Sequence, residues 1–205
     1  MGFDSETAFE SALIKCLVEE KGWKDGVIKY PTEKDLLDNW AKIIFENNRD
    51  IDRLGDFPMT DGEMAQIMGQ IAKLRTPLNL NGFINGGTVQ IIRDNENDTH
   101  NFKKTISLKI FDRNEIAAGR TRYQIAQQPK FKAKNSIYPN RRGDFCLLIN
   151  GMPVIHVELK KSNVPVSEAQ YQIRKYLYEG VFTGLFSLCL LYTSPSPRDM
   201  RRSRM

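Results

Sequence analysis

The chain has 205 residues, 40% of them hydrophobic and 27% charged, with 30 Lys plus Arg against 25 Asp plus Glu and a formal net charge of +5. Such a chain is long enough to bury a core without disulfides or a structural metal, and its composition excludes an intrinsically disordered protein. No apolar run approaches the roughly 18 residues of a membrane span, and the acidic start MGFDSETAFE lacks the cationic and apolar regions of a secretory signal.

The first predicted element is a helix, because Phe9, Ala12, Leu13, Cys16 and Leu17 recur at helical spacing. Thr7 and Glu10 have the spacing of a capping box, Ser5 is a competing cap, and Gly22 ends the segment. A second helix is expected from Glu33 to Asn47, with Leu37, Trp40 and Ile44 on one face. A third spans TDGEMAQIMGQIAKLR, with Thr60 and Glu63 as capping box, a stripe of Met64, Ile67, Met68, Ile71 and Leu74, and Pro77 closing it. Strand patterns then take over. TVQII is β-branched, TISLKIF alternates through Ile106, Leu108 and Ile110, and the polar DNENDTHN between them reads as a solvated loop. RYQIAQQ alternates as well. The basic stretch PKFKAKNSIYPNRR leads into the strands DFCLLI and PVIHVELKK, separated by Asn-Gly. SEAQYQIRKYLYEG is helical, with Ser167 and Gln170 at capping-box spacing, Ala169, Ile173 and Leu177 as its apolar line and Gly180 at its end. GLFSLCLL starts like a buried strand. The succession describes a mixed α/β layer structure.

The last 13 residues contain no Val, Ile, Leu or aromatic residue, and LYTSPSPRD resembles translated sequencing-adaptor read-through. The expectation is a native domain over 1–188 and a non-native, disordered tail over 189–205; a natural Arg/Ser/Pro tail that binds nucleic acid by charge is the alternative. Residues 189–205 hold four Arg and one Asp, so they supply +3 of the net +5. Net basicity is therefore weak evidence for a polyanionic partner. Cys16, Cys146 and Cys189 are too few and too scattered for a disulfide framework, which points to the reducing cytoplasm.

The chemistry concentrates in RRGDFCLLINGMPVIHVELKK. Successive strand residues point to opposite faces, so Glu158, Lys160 and His156 share one face while Ile155, Val157 and Leu159 line the other. An amphipathic strand with a surface ion pair is the bland alternative. Asp144 and Glu158 can share a metal only if they also lie on one face. A two-residue turn at Asn150-Gly151 would set Asp144 opposite Val157, on the wrong face. A loop of Ile149 to Gly151 or of Asn150 to Met152 corrects the parity, so an odd-length loop is expected. Two carboxylates with backbone oxygens suit Mg²⁺, which would polarise a phosphate and lower the pKa of a bound water. Lys160 would orient that water or stabilise developing charge. Arg141, Arg142, Lys130, Lys132, Lys134 and Lys161 are candidates for holding a phosphodiester backbone, or a solvated surface. His156 is a candidate ligand or base, though a lone His is more often a packing residue. His100 reads as solvated. No Cys/His spacing supports zinc, and no P-loop sequence is present.

Asp-x13-Glu-x-Lys across two strands resembles the PD-(D/E)xK nuclease motif, with Gly143 where that motif often has Pro. The longer RRGDFCLLINGMPVIHVELKKS closely resembles the endonuclease domain at the N-terminus of the R subunit of type I restriction-modification enzymes. QYQIRKYLYEGVFTGLFS resembles the next segment of that domain, including a Gln-x3-Tyr motif at Gln172 and Tyr176, and LGDFPMTDGEMAQIMGQIAKLRTPLNLNGFINGGTVQIIRDN reads like one branch of that family. The resemblance implies a restriction-endonuclease-like mixed β-sheet flanked by helices. It implies Asp144 and Glu158 as Mg²⁺ ligands, Lys160 as catalytic lysine, and Gln172 and Tyr176 as supporting residues. An acid from the first helix would join them, Glu10 first and Glu6 second. The implied partners are double-stranded DNA and the M and S subunits, with no membrane association. ATP enters only through motor domains outside this chain. A non-catalytic DNA-binding or docking module and a stand-alone nuclease of the same superfamily are the alternatives. Retention of all three motif residues argues against the first, and the MPVIHVELKKS and EGVFTGLFS contexts against the second.

Overall fold

The computed structural model describes residues 5–74, 79, 88–110, 121–132, 140–160 and 164–193. It divides into two compact units. The first takes residues up to Glu33, Tyr123–Ile149 and the residues from Pro153 on; the second takes Lys34–Arg122 and Asn150–Met152.

The first unit is built on a mixed five-stranded sheet in the order β1-β4-β7-β8-β9, formed by Val27–Lys29, Tyr123–Gln127, Phe145–Ile149, Met152–Glu158 and Leu190–Thr193. β1 runs parallel to β4, β4 antiparallel to β7, and β8 parallel to β9. Helix α1, Glu6–Glu20, covers one face: Ile14 packs with Ile125, Phe145, Leu147, Val157 and Leu159, and Phe9, Leu13 and Leu17 extend the contact. Helix α4, Val166–Tyr178, buries Ala169, Ile173 and Tyr176. β7 is buried at four successive positions, as a strand covered on both faces must be. A two-stranded ribbon of β5, Lys130–Phe131, and β6, Arg141–Arg142, lies beside this sheet in the chain.

The second unit holds helix α2, Glu33–Asn47, whose first residue belongs to the first unit, helix α3, Asp61–Ile71, and the hairpin of β2, Thr88–Ile92, with β3, Thr105–Lys109. α3 has the expected capping box, with Thr60 and Glu63 bonded reciprocally. Its Gln66 side chain donates to and accepts from the backbone of Ile92, and Gln70 donates to the Gln90 carbonyl, so helix amides occupy part of the free edge of β2. The supposedly solvated loop after β2 is instead anchored. Arg93 is fully buried between Glu63 at 2.7 Å and Asp98 at 2.9 Å, and its remaining donors reach the carbonyls of Phe57 and Pro58. Burying a guanidinium requires such complete pairing. Asn101 is buried there too, donating to the carbonyls of Ile51 and Arg53, while His100 is exposed as expected.

Four further expectations change. Ser5, not Thr7, caps α1, accepting from Ala8 N–H. Pro165 precedes α4 with no side-chain cap, so the Ser167–Gln170 box does not form. Leu177, expected on the apolar line of α4, is 51% exposed, and Tyr176 takes the buried position. GLFSLCLL is no single strand: Gly184–Leu188 forms a 3₁₀ turn, and strand β9 starts at Leu190. Residues 190–193, expected to be disordered, therefore complete the sheet against β8, while 194–205 lie outside the described residues. No helix among the described residues is long and apolar enough to cross a membrane.

Arg93→Met leaves two buried carboxylates without their counterion and is expected to cost about 3–5 kcal/mol in urea denaturation. Replacing all three members with neutral groups, as Arg93→Met with Glu63→Gln and Asp98→Asn, should recover most of that loss. A single substitution that leaves the midpoint unchanged would remove the network from any role in stability.

Candidate active site

The site begins with the parity of β7 and β8. Phe145 and Leu147 share one packed cluster with Val157 and Leu159, so the odd-numbered residues of both strands face the same way. Asp144, Cys146, His156 and Glu158 therefore share the other face, and Cys146 Sγ stands 3.3 Å from His156 Nδ1. The expected odd-length loop is not how this arises. The connection is the two-residue Asn150-Gly151 turn with φ of 49° and 84°, the pattern that Asn-Gly favours because both residues tolerate positive φ. Gly151 is further fixed by space, since a Cβ there would lie 2.9 Å from Trp40 Cα. Continued without interruption, that turn would oppose the wrong faces. The strands must slip by one residue between the turn and the site, and Pro153, which has no ladder donor, lies in that stretch.

The two acids lie close enough for the Glu158 charge to act on Asp144. Glu158 is 1% exposed and Asp144 half-buried, with Asp144 Oδ2 accepting from the Leu159 N–H at 2.5 Å. Burial, and then the Glu158 charge, push Asp144 up to about 7, against the opposing pull of the Leu159 N–H and Lys160. Burial likewise raises Glu158 to about 7, with Lys160 opposing it. Lys160 is half-buried and lies 3.5 Å from Glu6.

Glu10 lies on the buried side of α1, the helix that Ser5 caps. Capping by Thr7 would have drawn Glu10 back to its own helix terminus. Instead it is 3% exposed, accepts from Gln127 Nε2 at 2.6 Å and from Gln128 Nε2 at 3.1 Å, and adds to the field that raises Asp144. Gln128 adopts a positive φ of 51° and donates its backbone N–H to the Asp144 carbonyl at 2.7 Å. The structure thus brings Glu10 towards Asp144 and leaves Glu6 beside Lys160.

Gln172 and Tyr176 reach the same acid from α4. Gln172 Nε2 donates to Glu158 Oε1 and stands 2.8 Å from Tyr176 Oη, while that hydroxyl donates to the Arg142 carbonyl at 3.3 Å. Burial, with the Glu158 charge, raises the Tyr176 phenol, so it stays protonated as this donation requires. His156 is fully buried, with Nε2 3.2 Å from Glu158 Oε2, and burial lowers it to about 4, so its ring is neutral near pH 7.

The basic candidates separate. Arg141 is bound through two nitrogens to Glu179, at 2.7 and 2.6 Å, so its guanidinium tethers the end of α4 to β6. Arg142, Lys130 and Lys132 are exposed, and Lys134 and Lys161 lie outside the described residues. Sequence reasoning missed Gln127, Gln128, Cys146 and Glu179. Only the adjacent glutamines at the end of an alternating strand gave any hint of a polar cluster. Among the described residues no three His, Cys, Asp or Glu side chains form a ready metal cage. Asp144 and Glu158 nonetheless fit a hard cation by chemistry, since both donors are carboxylate oxygens.

A family model described as type I restriction enzyme R protein N terminus matches residues 4–192. A type I restriction enzyme endonuclease subunit of Staphylococcus saprophyticus is 28% identical over 205 residues, covering 98% of this chain and 19% of that protein. Those of Staphylococcus aureus strains COL and MRSA252 are each 28% identical over 188 residues, covering 91% of this chain and 18% of the relative. The chain thus spans about a fifth of the length of these relatives.

Because both acids are raised above their unfolded values, the folded state gains from their protonation. Their burial cost is absent below about pH 4 and fully expressed above about pH 7. Asp144→Asn is therefore expected to raise the Tm of metal-free protein at pH 8, with the gain shrinking through pH 7 and vanishing near pH 4. Thermal melts in EDTA across that range test it, and a pH-independent difference would contradict the coupling.

Proposed function

Since the chain belongs to the family of type I restriction enzyme R protein N termini, we propose that it is a Mg²⁺-dependent DNA endonuclease domain that hydrolyses phosphodiester bonds. The observation that carries this reading is that Asp144, Glu158 and Lys160 act on one another's charge, with the Gln172–Tyr176 pair bonded onto Glu158. Asp144 and Glu158 would hold the ion, and Glu10 would add to it. Bound there, Mg²⁺ would supply Lewis acidity to the scissile phosphate and to an attacking water.

The protein's own groups supply the rest. Gln172 fixes Glu158 Oε1, and Tyr176 holds Gln172 in turn, so the carboxylate is oriented before substrate arrives. The Leu159 N–H does the same for Asp144 Oδ2. Lys160 places its positive charge among these acids, where it lowers both pKa values and would offset negative charge developing on the phosphate. Exposed Arg142 would contact the DNA backbone, as would Lys161. Arg141 contributes through its hold on Glu179 and, in this reading, not by direct contact with phosphate.

The relatives are named as endonuclease subunits and are about five times longer than this chain. In the whole protein, ATP-driven translocation by motor domains and assembly with M and S subunits would deliver unmodified DNA to this site. Sequence recognition would then reside in the S subunit, and this chain would show no sequence-specific cleavage of its own.

In a nicking assay on the reconstituted complex with ATP and Mg²⁺, Asp144→Ala and Lys160→Ala should each reduce cleavage on the order of 10²–10³-fold. EDTA should abolish it. Unchanged cleavage in both variants would end the active-site assignment.

A further inference from the structure

His156 is absorbed by neither the motif nor the Gln172–Tyr176 pair, yet it is the most enclosed polar group beside the acids. Its Nδ1 faces Cys146 Sγ at 3.3 Å and its Nε2 faces Glu158 Oε2 at 3.2 Å. Its ring is held edge-on between Phe131 at 5.6 Å and Phe182 at 5.0 Å, and Phe131 in turn stacks against Phe182 and Phe186. The backbone at Gly143 closes the remaining side. A Cβ there would lie 2.4 Å from His156 Cε1 and 2.8 Å from Phe131 Cε2, closer than carbon atoms can approach. Neither ring is the free end of a flexible chain, so position 143 has no room for any side chain. Pro would not fit there while His156 is present.

One tautomer of His156 serves both contacts when Glu158 is ionised. A neutral imidazole has one N–H, and Glu158 has only acceptor oxygens when ionised. Cys146 can donate its S–H to Nδ1, which leaves the N–H on Nε2, pointing at Glu158 Oε2. The two oxygens of Glu158 are then held from opposite sides, Oε2 by His156 and Oε1 by Gln172.

From this geometry we propose that His156 is a positioning residue: its Nε2–H locks the Glu158 carboxylate in the orientation that offers its remaining lone pairs to a divalent cation shared with Asp144, and Gly143 is glycine to make room for the ring. The proposal rests on the metal-dependent reading above. It assigns His156 no contact with cation or substrate.

The test is calorimetric titration of the 205-residue chain with Mn²⁺, alongside thermal melts in EDTA. His156→Phe keeps an aromatic ring in the box and removes the donor. It should fold with a Tm near wild type and bind Mn²⁺ about 10–100-fold more weakly, as for lost outer-shell partners of metal ligands. His156→Gln places an amide N–H near the Nε2 position and should recover binding to within about threefold. Gly143→Ala, which displaces the ring without altering any polar group, should weaken Mn²⁺ binding as His156→Phe does. Mn²⁺ binding by His156→Phe equal to wild type, or equal losses in the Phe and Gln variants, would overturn the positioning role and leave the nuclease reading standing. Absence of Mn²⁺ binding by the wild-type chain would overturn both.

Discussion

Two neighbouring carboxylates, one buried and one half-buried, are an expensive arrangement, and much of the first unit can be understood as what keeps Asp144 and Glu158 there. Each resists ionisation because burial removes its water, and Asp144 also feels the charge of Glu158. The surroundings compensate with donors rather than with a fixed ion pair. Leu159 N–H serves Asp144, while Gln172 and His156 serve Glu158. Lys160 contributes charge but is shared with Glu6, so the negative charge is reduced without being cancelled. An acid pair left partly uncompensated is what a divalent cation needs, whereas full neutralisation by Lys or Arg would remove the reason to bind one.

The donors come from widely separated parts of the chain, and their own placement depends on ordinary packing. Gln172 is presented because Ala169, Ile173 and Tyr176 bury one side of α4, and the Arg141–Glu179 pair fixes that helix end to β6. Glu10 is presented because Ile14, one turn later, anchors α1 over Ile125, Phe145 and Val157. The strain at Gln128 is local to the same place. Its positive φ lets one residue donate backbone to Asp144 and side chain to Glu10.

The second unit solves a different problem by the same means. Arg93 is as buried as any residue in the chain, and five donor contacts to Glu63, Asp98, Phe57 and Pro58 satisfy it. Glu63 thereby serves twice, closing the capping box of α3 and holding the start of the β2–β3 connection. An ionic cluster of this kind gives the loop a defined path where a polar sequence would otherwise remain solvated. The contrast with Asp144 and Glu158 is one of pairing: Arg93 is matched by two carboxylates, whereas the two acids share a single half-buried lysine that also meets Glu6.

The sequence by itself determined the mixed α/β layering, the bounds of α2, the capping box of α3 and the location of the acids and lysine, because helical and strand periodicities are local properties of side-chain spacing. It also carried the Gln172–Tyr176 pairing, since residues four apart on a helix must be neighbours. Tertiary structure alone decided the rest. Local rules allowed both Ser5 and Thr7 as cap and left open which side Glu10 takes; the structure caps α1 at Ser5 and buries Glu10. Loop length was a sound question with the wrong answer: Asn-Gly keeps its two-residue turn, and the parity is corrected inside the hairpin, where no short-range signal distinguishes a slip from a continuous ladder. Arg141 and His156 read as surface or ambiguous residues because Glu179 and Cys146 lie 38 and 10 positions away, on other elements. Whether a charged or polar side chain meets water or a buried counterpart depends on which elements fold against it, and that information is not contained in its own neighbourhood.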